Sequence, residues 1–391
     1  MPPLSDLLPS RRRFIALTGG GAVFATLPLG GCASTYPDEA TQAWRATGPE
    51  TDLRRHMLAH ALLAPNPHNR QPWIADLSQP GRIGLLCDGQ RLLPETDPFG
   101  RQILIGCGAF IELAVIAAAA RGVAVEVQLF PDGAPAADAL PRGHRVAVLH
   151  LRDAGSAPPD PLFAQIAQRH TNKAAYANDR ALPVALTAQW AQTAQRFGLA
   201  GGVVSDAAGL ERLRAITREA YEIECLTPRT WLESAQLMRI GPDAIARHRD
   251  GISLNERMPR LLHALGLFDP LQVPQPGSAN LERVMARWAP FETGSGYLWL
   301  ASSGNTRPQQ VDAGRAYVRQ HLQATAAGVQ MHPLSQALQE FAEVRRPYLA
   351  VHQALGLDPQ RNTVQMLART GFALQATQPS PRRGLQALLQ A

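Results

Sequence analysis

Apolar positions in the first part of the chain follow helical spacing and strand spacing in turn. The helix predicted over 52–64 places Leu53, Met57 and Leu62 on one face and ends at Pro65. The same reading then predicts strands over 71–77 and 82–88, a long apolar helix over 103–121, and strands over 123–130 and 144–151. The first part therefore combines a hairpin, a buried helix and two further strands.

The later part of the chain repeats this plan with larger insertions. It predicts helices over 186–197, 207–226, 309–327 and 335–356 and strands over 201–204, 297–302, 329–332 and 364–369. Prolines break the pattern over 232–276, which indicates an irregular insertion or lid. Helices and strands mix without strict βαβ alternation, so the predicted class is α+β. The loop 153–160, rich in Pro, Ala and Gly, favours one half over 32–158 and a second over 159–391.

The first 31 residues have the order of features of an export signal. Three arginines at 11–13 precede an uncharged stretch over 14–31 that is too rich in glycine for a lasting membrane helix. The Ser10–Ile15 pattern resembles a twin-arginine signal, and the alternative is a chance basic patch before a glycine-rich tail. Leu29–Cys32 resembles a lipobox, in which Cys32 would carry the lipid; the alternative is a free cysteine.

Composition narrows the class of protein. With 391 residues, 45% hydrophobic and 18% charged, the chain can bury a core, which excludes a disordered protein. Its four cysteines form no C-x-x-C pair, so we expect no metal site. The net charge of +6 comes from dispersed basic residues, which argues against a nucleic-acid partner. Lys173 is the only lysine among 38 basic residues.

A polar loop between the first helix and the first strand carries two amides. Pro72 favours an extended Gln71, and residues two apart in extended chain share a face, so Asn69 and Gln71 are expected side by side. Each amide offers a donor and an acceptor, as the edge of a flavin or a pyrimidine requires. The alternative is an Asx-type loop that caps the preceding helix.

Two basic segments follow at widely separated positions. In Arg169–Lys173 alternate residues place two cations and the Thr171 hydroxyl on one side, which suits a phosphate dianion. The alternative is a solvated loop. Ser380–Arg383 near the end is by itself an ordinary basic tail.

Together these segments resemble the flavin-binding motifs of the nitroreductase family. Arg169–Lys173 matches its R-x-[ST]-x-[KR] segment, Ser380–Arg382 its late S-x-R, and Pro67–Trp73 its N-x-Q-P-W segment. Further stretches resemble the single-chain, Acg-like branch: 97–98, 106–112, 304–307 and 313–316. The resemblance implies a nitroreductase-like fold of two tandem halves, an intramolecular pseudo-dimer that is a monomer in solution. Arg70 departs from the family pattern, since a small Ser or Thr is more usual there.

The resemblance also implies FMN as cofactor, held in one site between the halves. The cofactor-binding residues it implies are His68, Asn69, Gln71, Arg169, Thr171, Lys173 and Arg382. His68 is expected near the ring, with a loop-stabilising role as the alternative. No catalytic residue is implied, because the flavin itself carries the redox step.

The expected function is that of an exported oxidoreductase of nitroreductase type. Bound flavin would pass two electrons to a nitro or quinone-like small-molecule acceptor. Its expected partners are the twin-arginine export machinery and, through Cys32, the membrane, with the protein periplasmic or anchored facing outward. Because NAD(P)H is essentially absent there, a catalytically silent FMN-storage protein is the first alternative. A surface interaction module that has lost its cofactor is the second.

Overall fold

The structure is a computed structural model of the chain and describes residues 35–45 and 50–389. The export signal expected over 1–31 and the lipidation expected at Cys32 lie outside the described residues. Residues 35–45, here called the N-terminal strap, include a short helix α1 (Asp38–Thr41). The strap lies against the end of the chain, because the backbone N–H of Arg382 donates to the carbonyl of Ala40 at 3.0 Å.

The first half contains two helices and one antiparallel sheet. Its elements are α2 (Leu53–Ala61), β1 (Trp73–Asp76), β2 (Arg82–Cys87), α3 (Arg101–Ala119), β3 (Val123–Leu129) and β4 (Arg145–Ala154). The strands lie in the order β1-β2-β4-β3. Helix α2 begins after Asp52, whose carboxylate accepts a hydrogen bond from the backbone N–H of Arg54 and so satisfies a free donor of the first turn.

The second half contains a second antiparallel sheet and a long intervening segment. Its elements are α4 (Val184–Arg196), β5 (Ala200–Val204), α5 (Ala207–Leu226), α6 (Pro228–Gln236), β6 (Met238–Ile240), α7 (Pro242–His248), β7 (Ile252–Leu254), α8 (Arg257–Ala264), α9 (Ala279–Ala286), β8 (Gly296–Ser303), α10 (Arg307–Ala326), β9 (Gln330–Pro333), α11 (Arg345–Ala354) and β10 (Asn362–Gly371). The insertion expected over 232–276 lies inside the segment 205–295. It is less irregular than expected, because short helices and the parallel pair β6–β7 form there.

The two halves share one topology. In order, α2, β1, β2, α3, β3 and β4 correspond to α4, β5, β8, α10, β9 and β10. In each sheet the first and second strands lie together and the fourth lies between the second and the third. This repeat confirms the α+β class and the tandem arrangement of two halves.

Helices α3 and α10 pack against each other and join the halves. Helix α3 is long and apolar enough to cross a membrane by length and composition, but 83% of that window is buried inside the fold. Gly108 on α3 and Gly314 on α10 sit where the backbones approach, since a Cβ on either would lie under 2 Å from a carbonyl oxygen of the partner helix. The interface between the halves is thus a close contact of helix backbones.

Candidate functional site

The loop after α2 meets the last segment of the chain. The Asn69 side-chain oxygen accepts from Nη1 of Arg382 at 2.7 Å, and its side-chain N–H donates to the backbone carbonyl of Pro381 at 2.9 Å. The Gln71 side-chain oxygen accepts from the backbone N–H of Arg383 at 2.9 Å. The structure therefore brings together the amide motif and the S-x-R motif, which are more than 300 residues apart in sequence.

The expected extended conformation of Gln71 is wrong. Its φ is +52°, in the left-handed region, as are those of His68 and Asn69. The backbone N–H of Gln71 donates to the side-chain oxygen of Asn66 at 2.7 Å, and its amide donates to the carbonyl of Arg249 at 2.8 Å. These bonds outweigh the preference that Pro72 imposes. They also tie both amides to the protein wall, and any cofactor contact of Asn69 and Gln71 stays a prediction.

Arg169 and Arg382 converge on the carbonyls at the end of α2. Their Nη2 atoms donate to the Leu63 carbonyl at 2.8 Å and 3.2 Å. Both side chains are buried, and neither forms an ion pair with a carboxylate in the described part of the chain. Burial lowers the pKa of Arg169 to about 10 and that of Arg382 to about 9, and the charge of Arg169 adds to the effect on Arg382. Positive charge is thus concentrated here, offset only by the negative end of a helix.

Lys173 interacts electrostatically with His68 and His332, and these three residues are called the Lys173 group here. The Lys173 side chain is exposed to solvent, yet the protein around it lowers its pKa, as does the nearby charge of Arg287. The charge of Lys173 in turn lowers the pKa of His68 and of His332. Thr171, two residues before Lys173, is half-buried.

A third buried arginine, Arg369 on β10, lies next to the Lys173 group. Nη2 of Arg369 donates to the carbonyl of Ala174 at 2.8 Å, and its Nε donates to Nδ1 of His332 at 3.1 Å. The guanidinium stacks on the ring of Tyr176 with a distance of 3.9 Å to the centroid. Burial lowers its pKa to about 10. Arg369 therefore adds positive charge and fixes the strand of chain that carries Lys173.

His68 connects the Lys173 group to a buried carboxyl. Its Nε2 lies 2.9 Å from Oγ of Ser234, and that hydroxyl makes a long, 3.5 Å hydrogen bond to Glu224. Burial, followed by the charges of Lys173 and Arg70, lowers the pKa of His68 to about 4. Burial raises the pKa of Glu224 to about 7. The imidazole is neutral at neutral pH, and the three groups form a path along which a proton can move.

Glu224→Gln tests the buried carboxyl. The folded pKa of about 7 lies above the ordinary 4.5, so folding favours the protonated form. That contribution is complete below about pH 4.5 and is lost as the pH rises through about 7. The variant is neutral at every pH, so we expect its free energy of unfolding to exceed that of the parent by about 1–3 kcal/mol at about pH 8 and to match it near pH 4. Urea denaturation at both pH values measures this; a gap independent of pH contradicts it.

The N-terminal strap covers the two arginines at the end of α2. The Trp44 ring lies 5.6 Å from the guanidinium of Arg169 and 5.1 Å from that of Arg382. Its indole N–H donates to the carbonyl of Ser380 at 2.8 Å. Trp44 is buried in the core of the first half. The strap therefore closes this side of the arginine pair.

Arg70 binds groups beside the loop that carries His68. Its Nη2 donates to the carbonyl of Gln90 at 2.8 Å, and its Nη1 lies 3.8 Å from the Asp250 carboxylate. Arg91 and Arg239 bind the same carboxylate. Arg70 thus belongs to a charge network beside the loop.

No cluster of three or more metal-ligating side chains occurs among the described residues.

No protein-family model matches the chain. The Mycobacterium tuberculosis protein Rv3131 (strain H37Rv), named as a candidate NAD(P)H nitroreductase, is 28% identical over 356 residues, 88% of this chain and 92% of that protein. The likeness supports the nitroreductase family. The protein Acg of the same strain, named in the same way, is 35% identical over 107 residues, which cover 25% of this chain and 32% of Acg.

Solved nitroreductases are more distant. The FMN-dependent nitroreductase NfnB from Mycobacterium smegmatis, in complex with NADPH, has a TM-score of 0.36 and 17% identity, over 58% of this chain and 96% of that chain. The FMN and NADPH-dependent nitroreductase NfnB from Sphigopyxis sp. strain HMH has a TM-score of 0.38 and 16% identity, over 59% of this chain and 99% of that chain.

The nitroreductase motifs do not point to three residues of this site. Arg369 stands in a strand that the sequence does predict, and a lone arginine among apolar strand residues was the available signal. His332 lies in the neighbouring strand β9 and has no motif of its own. Trp44 lies in a segment without a clear period, so no local pattern marks it.

Proposed function

We propose that the chain is an exported FMN-binding oxidoreductase of nitroreductase type, which reduces nitro or quinone-like acceptors. The observation that carries the proposal is an excess of positive charge at the site. Within the described residues, no carboxylate forms an ion pair with Arg169, Lys173, Arg369 or Arg382. Three buried arginines and one exposed lysine without a carboxylate partner favour a bound anion, and the phosphate of FMN supplies one.

The residues present fit a phosphate. The Nε–H of Arg169 is buried and has no acceptor within the described part of the chain. Arg169, Thr171 and Lys173 would hold the phosphate and the neighbouring polar groups, with Arg382 adding charge from behind. FMN, when bound, supplies two-electron redox chemistry. The name of Rv3131, NAD(P)H nitroreductase, agrees with that chemistry.

The chain's own residues would then orient the groups of the site and exclude water from it. The Asn69 and Gln71 amides fix the loop that carries His68, and Trp44 keeps water from the arginine pair. His68 is neutral at neutral pH and can accept a proton at Nε2 or pass one through Ser234 to Glu224. The site thus offers a route for a proton beside Lys173.

A second candidate function is FMN storage without turnover. The observation that favours it is the N-terminal strap, because Trp44 and Ser380 close one side of the arginine pair. A closed site retains a cofactor well and admits substrate poorly. Export beyond the cytoplasmic membrane adds to this, since NAD(P)H is essentially absent there.

Anaerobic stopped-flow reduction separates the two functions. The FMN-loaded protein is mixed with NADPH or with a soluble quinol, and the visible flavin band is followed. Our proposal predicts that the quinol bleaches the band and that a quinone or nitro compound restores it at turnover. A flavin band that neither donor changes would reject the oxidoreductase function and leave FMN storage.

We also propose the twin-arginine signal and the lipidation of Cys32. If the signal is used, Arg11→Lys/Arg12→Lys should block export. If Cys32 is lipidated, Cys32→Ser should remove the lipid.

A further inference from the structure

The segment after β7 exposes an unusual share of apolar surface. Five of the eight large apolar side chains that are exposed in the described residues lie between 258 and 271, with 47–67% of each side chain accessible. We call these five the apolar patch: Met258, Leu261, Leu265, Leu267 and Leu271. Single exposed apolar residues are common on protein surfaces, but a contiguous group of this kind indicates a partner.

Helix α8 gives the apolar patch its shape and its charge. Met258, Leu261 and Leu265 are spaced three and four residues apart, so they share one side of the helix and its first following turn. No residue of α8 is buried. The helix carries Arg257 and Arg260 and no acidic residue, and neither arginine is in an ion pair with another described residue. A basic amphipathic helix with an open apolar side is typical of a membrane surface.

The start of the described chain lies beside this helix. The side-chain amide of Asn255, two residues before α8, donates to the carbonyl of Thr35 at 3.1 Å. Cys32 is three residues before Thr35, and three residues span at most about 10 Å. Helix α8 has eight residues and is therefore about 12 Å long. A lipid on Cys32 would hold the apolar patch within reach of the bilayer.

We propose that the apolar patch docks on the surface of the membrane, with an anionic phospholipid bilayer as its partner. The geometric argument rests on the export and lipidation proposed above, and it does not depend on FMN. Lipid attachment and an interfacial helix then act together, as stable anchoring generally needs two signals.

Vesicle binding without the lipid tests the docking. The full chain with Cys32→Ser is mixed with phosphatidylglycerol–phosphatidylethanolamine vesicles and sedimented. Adding Met258→Gln/Leu261→Gln/Leu265→Gln is expected to lower the bound-to-free ratio about tenfold or more, because three apolar side chains no longer leave water. The matched control is Val184→Gln/Leu374→Gln, two residues elsewhere that are at least as exposed, which should leave the ratio unchanged. Residues 1–31 are present in the parent and in both variants, so their contribution to vesicle binding cancels. Equal ratios for the triple variant and its parent overturn the proposal.

A local probe gives an independent readout. Leu265→Cys in the Cys32→Ser background is labelled with a polarity-sensitive thiol dye, since Cys87, Cys107 and Cys225 are buried. Vesicles should shift its emission to the blue, and the same dye on Leu374→Cys should not respond. No shift at 265, or equal shifts at both positions, overturns the proposal. A dimer that the triple variant dissociates would assign the apolar patch to a second copy of the chain and also overturn it. FMN content is measured separately, so a failure of flavin binding cannot be mistaken for a failure of docking.

Discussion

Gly108→Ala is expected to lower the free energy of unfolding by about 3 kcal/mol or more. A Cβ on Gly108 would lie 1.9 Å from the carbonyl oxygen of Val311, and one on Gly314 would lie 1.8 Å from that of Ile105. Both obstacles are backbone atoms inside long helices, so no side-chain rotation relieves the clash. Alanine improves helix propensity by about 1 kcal/mol, which is too little to offset the separation of α3 from α10.

Urea denaturation of Gly108→Ala and Gly314→Ala measures this loss. Gly106→Ala is the matched control, since it gains the same propensity on the same helix and its Cβ would meet the Asn66 Cβ at 3.1 Å, where the neighbour has only to move a few tenths of an ångström. We expect the control to change the free energy of unfolding by about 1 kcal/mol or less. Similar losses in Gly106→Ala and Gly108→Ala would contradict the close backbone contact between the halves.

Lys173→Ala is expected to weaken FMN binding about tenfold to a hundredfold. The reason is the loss of a charge-assisted contact from an accessible ammonium group that forms no ion pair with a described carboxylate. Lys173→Arg keeps the charge and should recover part of the affinity. Arg91→Ala is the control, because Arg91 pairs with Asp88 and Asp250 and is not part of the Lys173 group.

Fluorescence titration of FMN into the unliganded proteins gives the three dissociation constants. The thermal midpoints without FMN should be nearly equal for Lys173→Ala and the parent, because the Lys173 side chain is exposed. A loss of affinity in Arg91→Ala as large as that in Lys173→Ala would remove the case for Lys173. So would a Lys173→Ala variant that binds FMN as tightly as the parent.

Periodic segments were predictable from sequence because their burial follows a local pattern. The apolar run from 103 to 121 gave the helix that the structure has over Arg101–Ala119, and the run from 364 to 369 gave the core of Asn362–Gly371. The repeat of element order made the tandem halves predictable too. Both features depend on spacing along the chain, which a sequence displays directly.

Contacts between distant segments were not predictable in the same way. Gln71 takes a left-handed φ because Asn66, Arg249 and Arg383 bind it, and only the first of these is a near neighbour. Trp44 packs on an arginine pair that is formed from residues 213 positions apart. The convergence of the loop and the C-terminal segment was expected only through the family motifs, not through spacing.

The absorption spectrum of the protein, purified and then incubated with FMN and freed of unbound ligand, tests the central claim most directly. We predict a visible flavin band with close to one FMN per chain, because the motif proposed to bind the phosphate occurs once, in the second half. The band should persist through gel filtration, since the arginine pair is buried beneath Trp44. A folded protein that stays colourless after incubation would contradict the claim that this cluster of unpaired cations is an FMN site.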